Sequence, residues 1–373
     1  MFKKIISSML ALFICLGILA IFASPVEAAS KNPWSVKVNY TQNVVTVYKN
    51  GKAVKAMLCS TGSATPKRGT YKMGAKFRWH GLKGGVQGQF CRVITGNIWF
   101  HSVPYTKVSQ SALKYWEYDK LGTTCSAGCV RLSAADAQYI YNLPAKTPVT
   151  FYSSSNPGPL GKPEGLKISD APAELRAWDP TDPLTCNAWK KNKSYFQYTF
   201  NAKAYLKYNP ELEYTVGTNE LKLKVHYATK GIREKRRASD DFDLGFFMKY
   251  YPEIAEQYNN DPYEIVKFYN TRGKAAGYIG SVDNPKFKPV FDAFYYAYSN
   301  PDLRNVFGYD STKLFWHYEK YGIGEDLNSS PYFNLNSFKA DNPELVKQFG
   351  SNNFKYYRYF IDVAYPDMVN AAA

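Results

Sequence analysis

"GTTCSAGCVRL", residues 122–132, sets Cys125 and Cys129 four residues apart among Gly, Ser and Thr, and "SAADAQYIY" follows directly. Ser133 and Asp136 have capping-box spacing with a short acid in place of Glu. A short helix is therefore expected through Ala137, Ile140 and Tyr141, ending before Pro144. Upstream, the chain reads as strands. "WSVKVNY" from Trp34 alternates, "NVVTVY" follows, Asn50-Gly51 marks a tight hairpin turn, and "AVKAMLCSTG" resumes the strand. "TPKRGTY" (65–71) turns into another strand. "QFCRVITGNIWFHSV" (89–103) is extended with a break at Thr95-Gly96-Asn97, and "TPVTFY" (147–152) closes the domain. The expectation is a mostly-β domain with one helix directly behind the cysteines.

The cysteine pair has three readings. Structural zinc needs four ligands in short paired spacings, whereas C-x3-C stands here with no second pair nearby and no H-x3-H, so no metal is expected. A disulfide suits Cys125 better than Cys129. Cys129 follows the small-residue turn Ser126-Ala127-Gly128, stands ahead of the helix near Ala134 and has Arg131 two residues on. A helix dipole and a guanidinium both favour thiolate over thiol, the preparation of a nucleophile. The N–H groups of Gly128 and Cys129 would then face a substrate carbonyl oxygen. The base must be a histidine. His101 ends the run Ile98-Trp99-Phe100, and His80, in "FRWHGL", is its rival.

The chain opens MFKK, continues in apolar sequence from Ile5 to Ala23 and relaxes into Val26-Glu27-Ala28-Ala29, the pattern of a cleaved secretory leader over 1–29. An uncleaved anchor is the alternative. Either way a site outside the cytoplasm, secreted or at the cell wall, is expected. Five cysteines would remain, an odd number that leaves at least one thiol free or paired between molecules. Residues 31–165 hold 18 Lys and Arg against 4 Asp and Glu, while residues 166–373 hold 27 against 26. The excess positive charge thus belongs to the first domain and suits an acidic wall polymer or a carboxylate-rich substrate. Nucleic acid fits a secreted protein least.

Residues 153–165, "SSSNPGPLGKPEG", read as a linker, with an irregular stretch to about residue 199. From there the sequence repeats. Phe200, Phe242, Phe291 and Phe333 each precede a Pro-acid-aliphatic triplet by ten residues: Pro210, Pro252, Pro301 and Pro343. Sixteen residues beyond each Pro stands His226, Phe268, His317 or Tyr359, followed by Tyr227, Tyr269, Tyr318 or Phe360. Gly231, Gly273 and Gly322 follow in three units, while Ala364 makes the fourth look like a truncated cap. Residues 200–373 are expected to form four two-helix units of an α-helical array. A column that accepts His, Phe and Tyr alike assigns His226 and His317 to packing, which leaves His80 and His101 as candidate bases.

"WFHSVPY" followed by "EYDKLGTTCSAGCVRLSAADA" resembles the catalytic signature of the L,D-transpeptidases (the YkuD-like domain), and the likeness reaches upstream to "TPKRGTY". The resemblance implies a β-sandwich-like catalytic domain, placed here at residues 30–152, with the linker and irregular segment at 153–199. It implies Cys129 as acylated nucleophile and His101 as proton donor and acceptor, oriented by the carbonyl of Ser102. Ser126 and Gly128 would shape the turn, and Arg131 would hold a substrate carboxylate. The implied substrate is a peptidoglycan stem peptide, joined into 3-3 cross-links through a thioester, with no cofactor. An L,D-carboxypeptidase or wall hydrolase would use the same residues, and a degenerate wall-binding protein would use none. Two departures stand out: Ala127 replaces a common histidine, and "VPYTKVSQSALKYWEYDKLGTT" is an insertion expected to cover the cleft.

Overall fold

The computed structural model describes residues 32–372, so the expected leader lies outside the described residues. Among those residues no helix is long and apolar enough to cross a membrane. The chain divides into two compact units, residues 32–84, 88–103 and 120–164 in the first, and 85–87, 104–119 and 165–372 in the second.

The first unit is a mostly-β sandwich. One sheet has the order β3-β2-β1-β9-β4, from Lys52–Leu58 (β3), Val44–Lys49 (β2), Trp34–Asn39 (β1), Pro148–Tyr152 (β9) and Gly69–Lys72 (β4). The other has the order β5-β6-β7-β8, from Lys76–Leu82 (β5), Val86–Thr95 (β6), Ile98–Ser102 (β7) and Val130–Leu132 (β8). Asn50 and Gly51 have φ of 50° and 76°, so both central residues of the β2–β3 turn are left-handed, as a hairpin that continues the strand twist requires. Alternation sends Val36, Val38, Val45 and Val47 into the core, where they meet Phe90, Ile94, Phe100, Val130 and Leu132 of the other sheet. Strand β5, "KFRWHGL", gives no sequence signal because it buries no side chain fully. Ser133 caps the helix Ala134–Tyr141 by accepting from the Asp136 N–H at 3.4 Å, and Ala134, Ala137 and Ile140 face inward. The start of the expected linker is held to the sheet: Asn39 donates to the carbonyls of Ser154 and Asn156 at 3.0 and 2.9 Å.

Residues 104–119 of the insertion pack within the second unit. There the Leu113 N–H donates to the Ala177 carbonyl at 3.0 Å, and the Asp119 carboxylate accepts from the N–H groups of Ile168 and Ser169 at 2.7 and 3.2 Å.

The repeats differ from expectation in having three short helices each, not two. In the third repeat these are Ala293–Ser299, Pro301–Phe307 and Ser311–His317, and a π-helical turn, Tyr318–Gly322, ends the unit. The cause is the Pro at the triplet: its ring and missing N–H stop the first helix and start a second. Each leading Phe packs on the aromatic residue 27 positions later, with centroids 5.2 Å apart for Phe200–Tyr227, 4.4 Å for Phe242–Tyr269, 5.9 Å for Phe291–Tyr318 and 4.7 Å for Phe333–Phe360. The histidine column packs as expected. Each imidazole meets a tyrosine hydroxyl of its own first helix, His226 with Tyr205 at 2.8 Å and His317 with Tyr296 at 3.1 Å. The same hydroxyls explain two of the three glycines, since a Cβ at Gly231 or Gly322 would overlap Tyr205 or Tyr296, whereas one at Gly273, in the repeat where Phe247 replaces the tyrosine, would meet Phe268 at 3.1 Å. The fourth repeat is not truncated. It has all three helices and the π-helical turn, Ala364 occupies the Gly position with Phe338 in place of the tyrosine, and a further helix, Tyr365–Ala372, follows.

Gly322→Ala is expected to cost about 1–3 kcal/mol of repeat stability through overpacking. Adding Tyr296→Phe, which recreates the fourth repeat's combination, should recover much of that loss in urea unfolding. A cycle without coupling between the two sites would contradict the steric explanation.

Candidate functional site

β7 and β8 run parallel, with Phe100 opposite Val130, His101 opposite Arg131 and Ser102 opposite Leu132. Phe100, Val130 and Leu132 point into the core. Strand alternation therefore turns Trp99, His101, Cys129 and Arg131 to the outer face of this sheet. Cys129 directly precedes β8 and lies two residues back from the partner of His101. Ordinary strand rise and spacing put their Cα atoms about 8 Å apart, a diagonal pair on one face.

The turn carrying Cys129 is held by the loop 60–65. The N–H groups of Cys125 and Ser126 both donate to the Thr61 carbonyl at 3.0 and 2.9 Å, and the Ala64 N–H donates to the Ala127 carbonyl at 3.1 Å. The Thr65 hydroxyl donates to the Gly128 carbonyl at 2.7 Å, and the Ser126 hydroxyl to the Cys129 carbonyl at 2.6 Å. Two glycines are demanded by close approach. A Cβ at Gly62 would overlap the Ser126 carbonyl, and one at Gly128 would meet Ile98 at 2.8 Å and Ala64 at 3.0 Å. Among the described residues, the N–H groups of Gly128 and Cys129 take no part in the backbone bonds that hold the turn.

His101 is 2% exposed, and its Nδ1 lies 2.6 Å from the Ser102 carbonyl oxygen. A carbonyl only accepts, so Nδ1 carries the proton and Nε2 keeps its lone pair. Burial lowers the imidazole pKa to about 4, against the Ser102 hydrogen bond that raises it, and the Arg131 charge lowers it further. Ser102 is itself fully buried: this carbonyl is directed at the imidazole and the side chain is closed to solvent. Its hydroxyl donates to the Val103 carbonyl at 2.9 Å and accepts from the Gln89 N–H at 3.0 Å.

Two expectations about Cys129 require correction. The helix dipole does not reach it, because the three residues of β8 stand between Cys129 and the helix at Ala134, and the dipole's influence falls off within the first turn. Nor is the resting thiol acidic. Burial pushes its pKa up, and the Trp99 N–H and the Arg131 charge only partly oppose this. The thiol donates to the Asn97 carbonyl at 3.5 Å. Thiol and imidazole are both uncharged at rest.

Among the described residues the disulfide expected to suit Cys125 is absent: Cys59, Cys91, Cys125, Cys129 and Cys186 are all free. Arg131 Nη1 lies 3.8 Å from Cys125 Sγ, which places this thiol beside the guanidinium. His80 sits on the same sheet with its ring 4.3 Å from that of Trp99 and Nδ1 2.6 Å from the Gly81 carbonyl. Sequence reasoning missed Cys91. It lies on β6 one step from the Arg92–Phe100 pair, and a Cβ at Gly88 would stand 3.2 Å from both Cys91 Sγ and His101 Cβ. Burial raises its pKa to about 12, and the Cys129 sulfur adds to the rise. Strand parity along "QFCRVIT" is the signal that could have found it. Among the described residues no three His, Cys, Asp or Glu side chains gather as a metal site.

Fold and site together define a β-sandwich domain whose outer sheet face carries a thiol, a neutral imidazole and a guanidinium beside two available amides. The YkuD family, the L,D-transpeptidase catalytic domain, matches residues 33–151. YciB of Bacillus subtilis (strain 168), itself assigned provisionally to the L,D-transpeptidases, is 33% identical over 133 residues, covering 33% of this chain and 67% of YciB. The chain belongs to the L,D-transpeptidase (YkuD) family. It is also similar to an L,D-transpeptidase from Mycobacterium smegmatis, at 20% identity over 32% of this chain and 59% of that one, with a TM-score of 0.28. L,D-transpeptidase 3 from Mycobacterium tuberculosis, solved with a faropenem-derived adduct, is 22% identical over 32% of this chain and 60% of that one, with a TM-score of 0.27. The chain thus spans about two thirds of the curated relative and about three fifths of these solved chains.

Because the thiol is protonated at rest, peptide-resolved iodoacetamide labelling of Cys129 should climb about tenfold per pH unit across neutrality, without a plateau. A flat profile would reveal a standing thiolate and contradict the uncharged pair.

Proposed function

We propose that this protein is a secreted wall enzyme that forms 3-3 cross-links in peptidoglycan through a Cys129 thioester. The observation that carries the reading is the parallel β7–β8 pair, which sets His101, with a free Nε2 lone pair, on one face with Cys129. As the thiol sulfur attacks the carbonyl of the L,D bond before the terminal D-residue of a tetrapeptide stem, His101 Nε2 takes its proton. The N–H groups of Gly128 and Cys129 receive the oxyanion, in surroundings where such bonds are strong. Collapse expels the D-amino acid, whose nitrogen takes the proton from the imidazolium, and leaves the acyl group on sulfur. The side-chain amine of a second stem then attacks the thioester, His101 relays its proton back to the departing thiolate, and the cross-link forms.

An uncharged resting pair suits this sequence. Charge separates only while the carbonyl is attacked, so the stabilising groups act on the transition state and not on a standing ion pair. Arg131, whose charge reaches the Cys129 sulfur, would hold a stem carboxylate. The excess of 18 basic over 4 acidic residues in 31–165 would attract stems, which carry several. The leader-like residues 1–29 support an extracytoplasmic site of action.

Tetrapeptide muropeptides mixed with the purified protein should yield cross-linked dimers. Cys129→Ala should abolish them, and His101→Gln should lower kcat by about 10²–10⁴-fold. A penem, whose strained amide a thiol opens to a thioester, should add its mass to the parent protein and not to Cys129→Ala. Equal cross-linking by the Cys129→Ala protein would refute the reading.

A further inference from the structure

Three aromatic rings of the third repeat stand apart from the packing that builds the array. Phe294, Tyr298 and Tyr309 are 62%, 65% and 52% exposed. Phe294 lies 6.2 Å from Tyr298 and 5.2 Å from Tyr309, and each pair is within 13° of parallel. Such centroid separations belong to slipped stacks, in which much of each face stays uncovered.

The repeat does not require them. At the position of Phe294 the other repeats carry Lys203, Gly245 and Asn336; at that of Tyr298, Lys207, Lys249 and Ala340; and at that of Tyr309, Thr218, Asn260 and Ser351. Packing explains the aromatic columns common to all four units, but these rings occur in one unit and face solvent. Their frame is nonetheless ordered. Phe294 and Tyr298 lie one turn apart on the helix capped by Asp292, which accepts from the Phe294 N–H at 3.0 Å. Tyr309 is pinned between Gly308, whose φ is 59°, and Asp310, which caps the next helix by accepting from the Lys313 N–H at 3.1 Å.

Beyond Tyr309 the surface changes character. This ring lines a hollow of about 500 Å³ with Lys207, Tyr208, Asp240, Asp283 and Asp310. Tyr208 donates to Asp240 at 2.6 Å, and Asp283 pairs with the buried Arg237 at 2.5 Å. Flat apolar faces next to carboxylates, an ammonium and a phenol match a ligand with both an apolar C–H face and ringed hydroxyls. Three carboxylates in the hollow disfavour a polyanion, and the dense polar lining disfavours a purely apolar protein surface.

We propose that the third repeat carries a saccharide-binding platform, in which Phe294, Tyr298 and Tyr309 stack on pyranose rings of a glycan strand while the adjoining hollow takes hydroxyl groups. The proposal rests on the reading of the first unit as a peptidoglycan enzyme, which makes the glycan strands of that polymer the expected ligand. Phe294 and Tyr298 on a capped helix, and Tyr309 in the turn before the next one, lose little backbone freedom on binding, so three rings suffice for useful retention.

The test uses the full chain and a soluble, uncharged β-1,4-linked N-acetylglucosamine polymer, with retardation in affinity electrophoresis as readout. Parent protein and Cys129→Ala should bind equally. The triple variant Phe294→Ala, Tyr298→Ala, Tyr309→Ala should bind at least about tenfold more weakly, with Tyr298→Gln alone showing a smaller loss in the same direction. Unchanged affinity in the triple variant, or no affinity of the parent for this polymer, overturns the proposal. Turnover of soluble muropeptides, which needs no polymer, separates either failure from a failure of the thioester reading.

Discussion

The parallel pairing of β7 with β8 is the constraint on which the site depends. It is short, and one residue of slippage would exchange the faces, sending His101 into the core and Phe100 to the outside. The register is locked from both sides. Phe100, Val130 and Leu132 bury completely on the inner face, and the Val103 N–H extends the ladder by donating to the Leu132 carbonyl at 2.8 Å. On the far edge, β8 exchanges hydrogen bonds with Ser60, whose N–H and carbonyl meet those of Arg131 at 2.9 Å each. Parallel neighbours need a long connection in any case. The long excursion between Val103 and Lys120 can therefore leave and return without disturbing the pair.

The electrostatics of the site follow from burial more than from neighbouring charge. Desolvation is the leading influence on both groups: it lowers the imidazole and raises the thiol, so each favours its neutral form. Arg131 acts on both in the same sense, against imidazolium and for thiolate, but as the lesser influence. The result is a pair held uncharged at rest. Cys91, close to His101 on the next strand, fits the same pattern of apolar insulation.

The repeat region applies one packing rule four times and then departs from it on the surface. Phe on aromatic recurs in all four units, and hydroxyl on imidazole, with glycine where the hydroxyl presses, in the first and third, at fixed offsets because each unit must seat its third helix on its first. In the second repeat the pair becomes Phe247 with Phe268, and in the fourth Phe338 with Tyr359, so the imidazole is dispensable. That interchangeability marks the histidines as structural. Positions outside the rule are free to vary, and the third repeat alone spends three of them on exposed rings.

Much of this was legible in the residues themselves. Alternating valines, the Asn50-Gly51 turn, the Ser133 cap and the 27-residue aromatic spacing are local patterns, each with a local physical cause. The packing role of His226 and His317 was legible in their column, and the small-residue turn singled out Cys129 as the candidate nucleophile. Other features were not. "KFRWHGL" pairs as a strand only because β6 offers it an edge, and three helices per repeat emerge because a proline at the triplet restarts the backbone. Cys91 joins the site through strand register that no single segment encodes. Above all, the ionisation of Cys129 could not be inferred from residues 122–134. Chain distance suggested a helix dipole, whereas the fold inserted a strand and partly buried the sulfur. Sequence specified which chemical groups are present and the period on which they recur; the tertiary structure decided their charge, because charge depends on solvent access, and solvent access belongs to the packed whole.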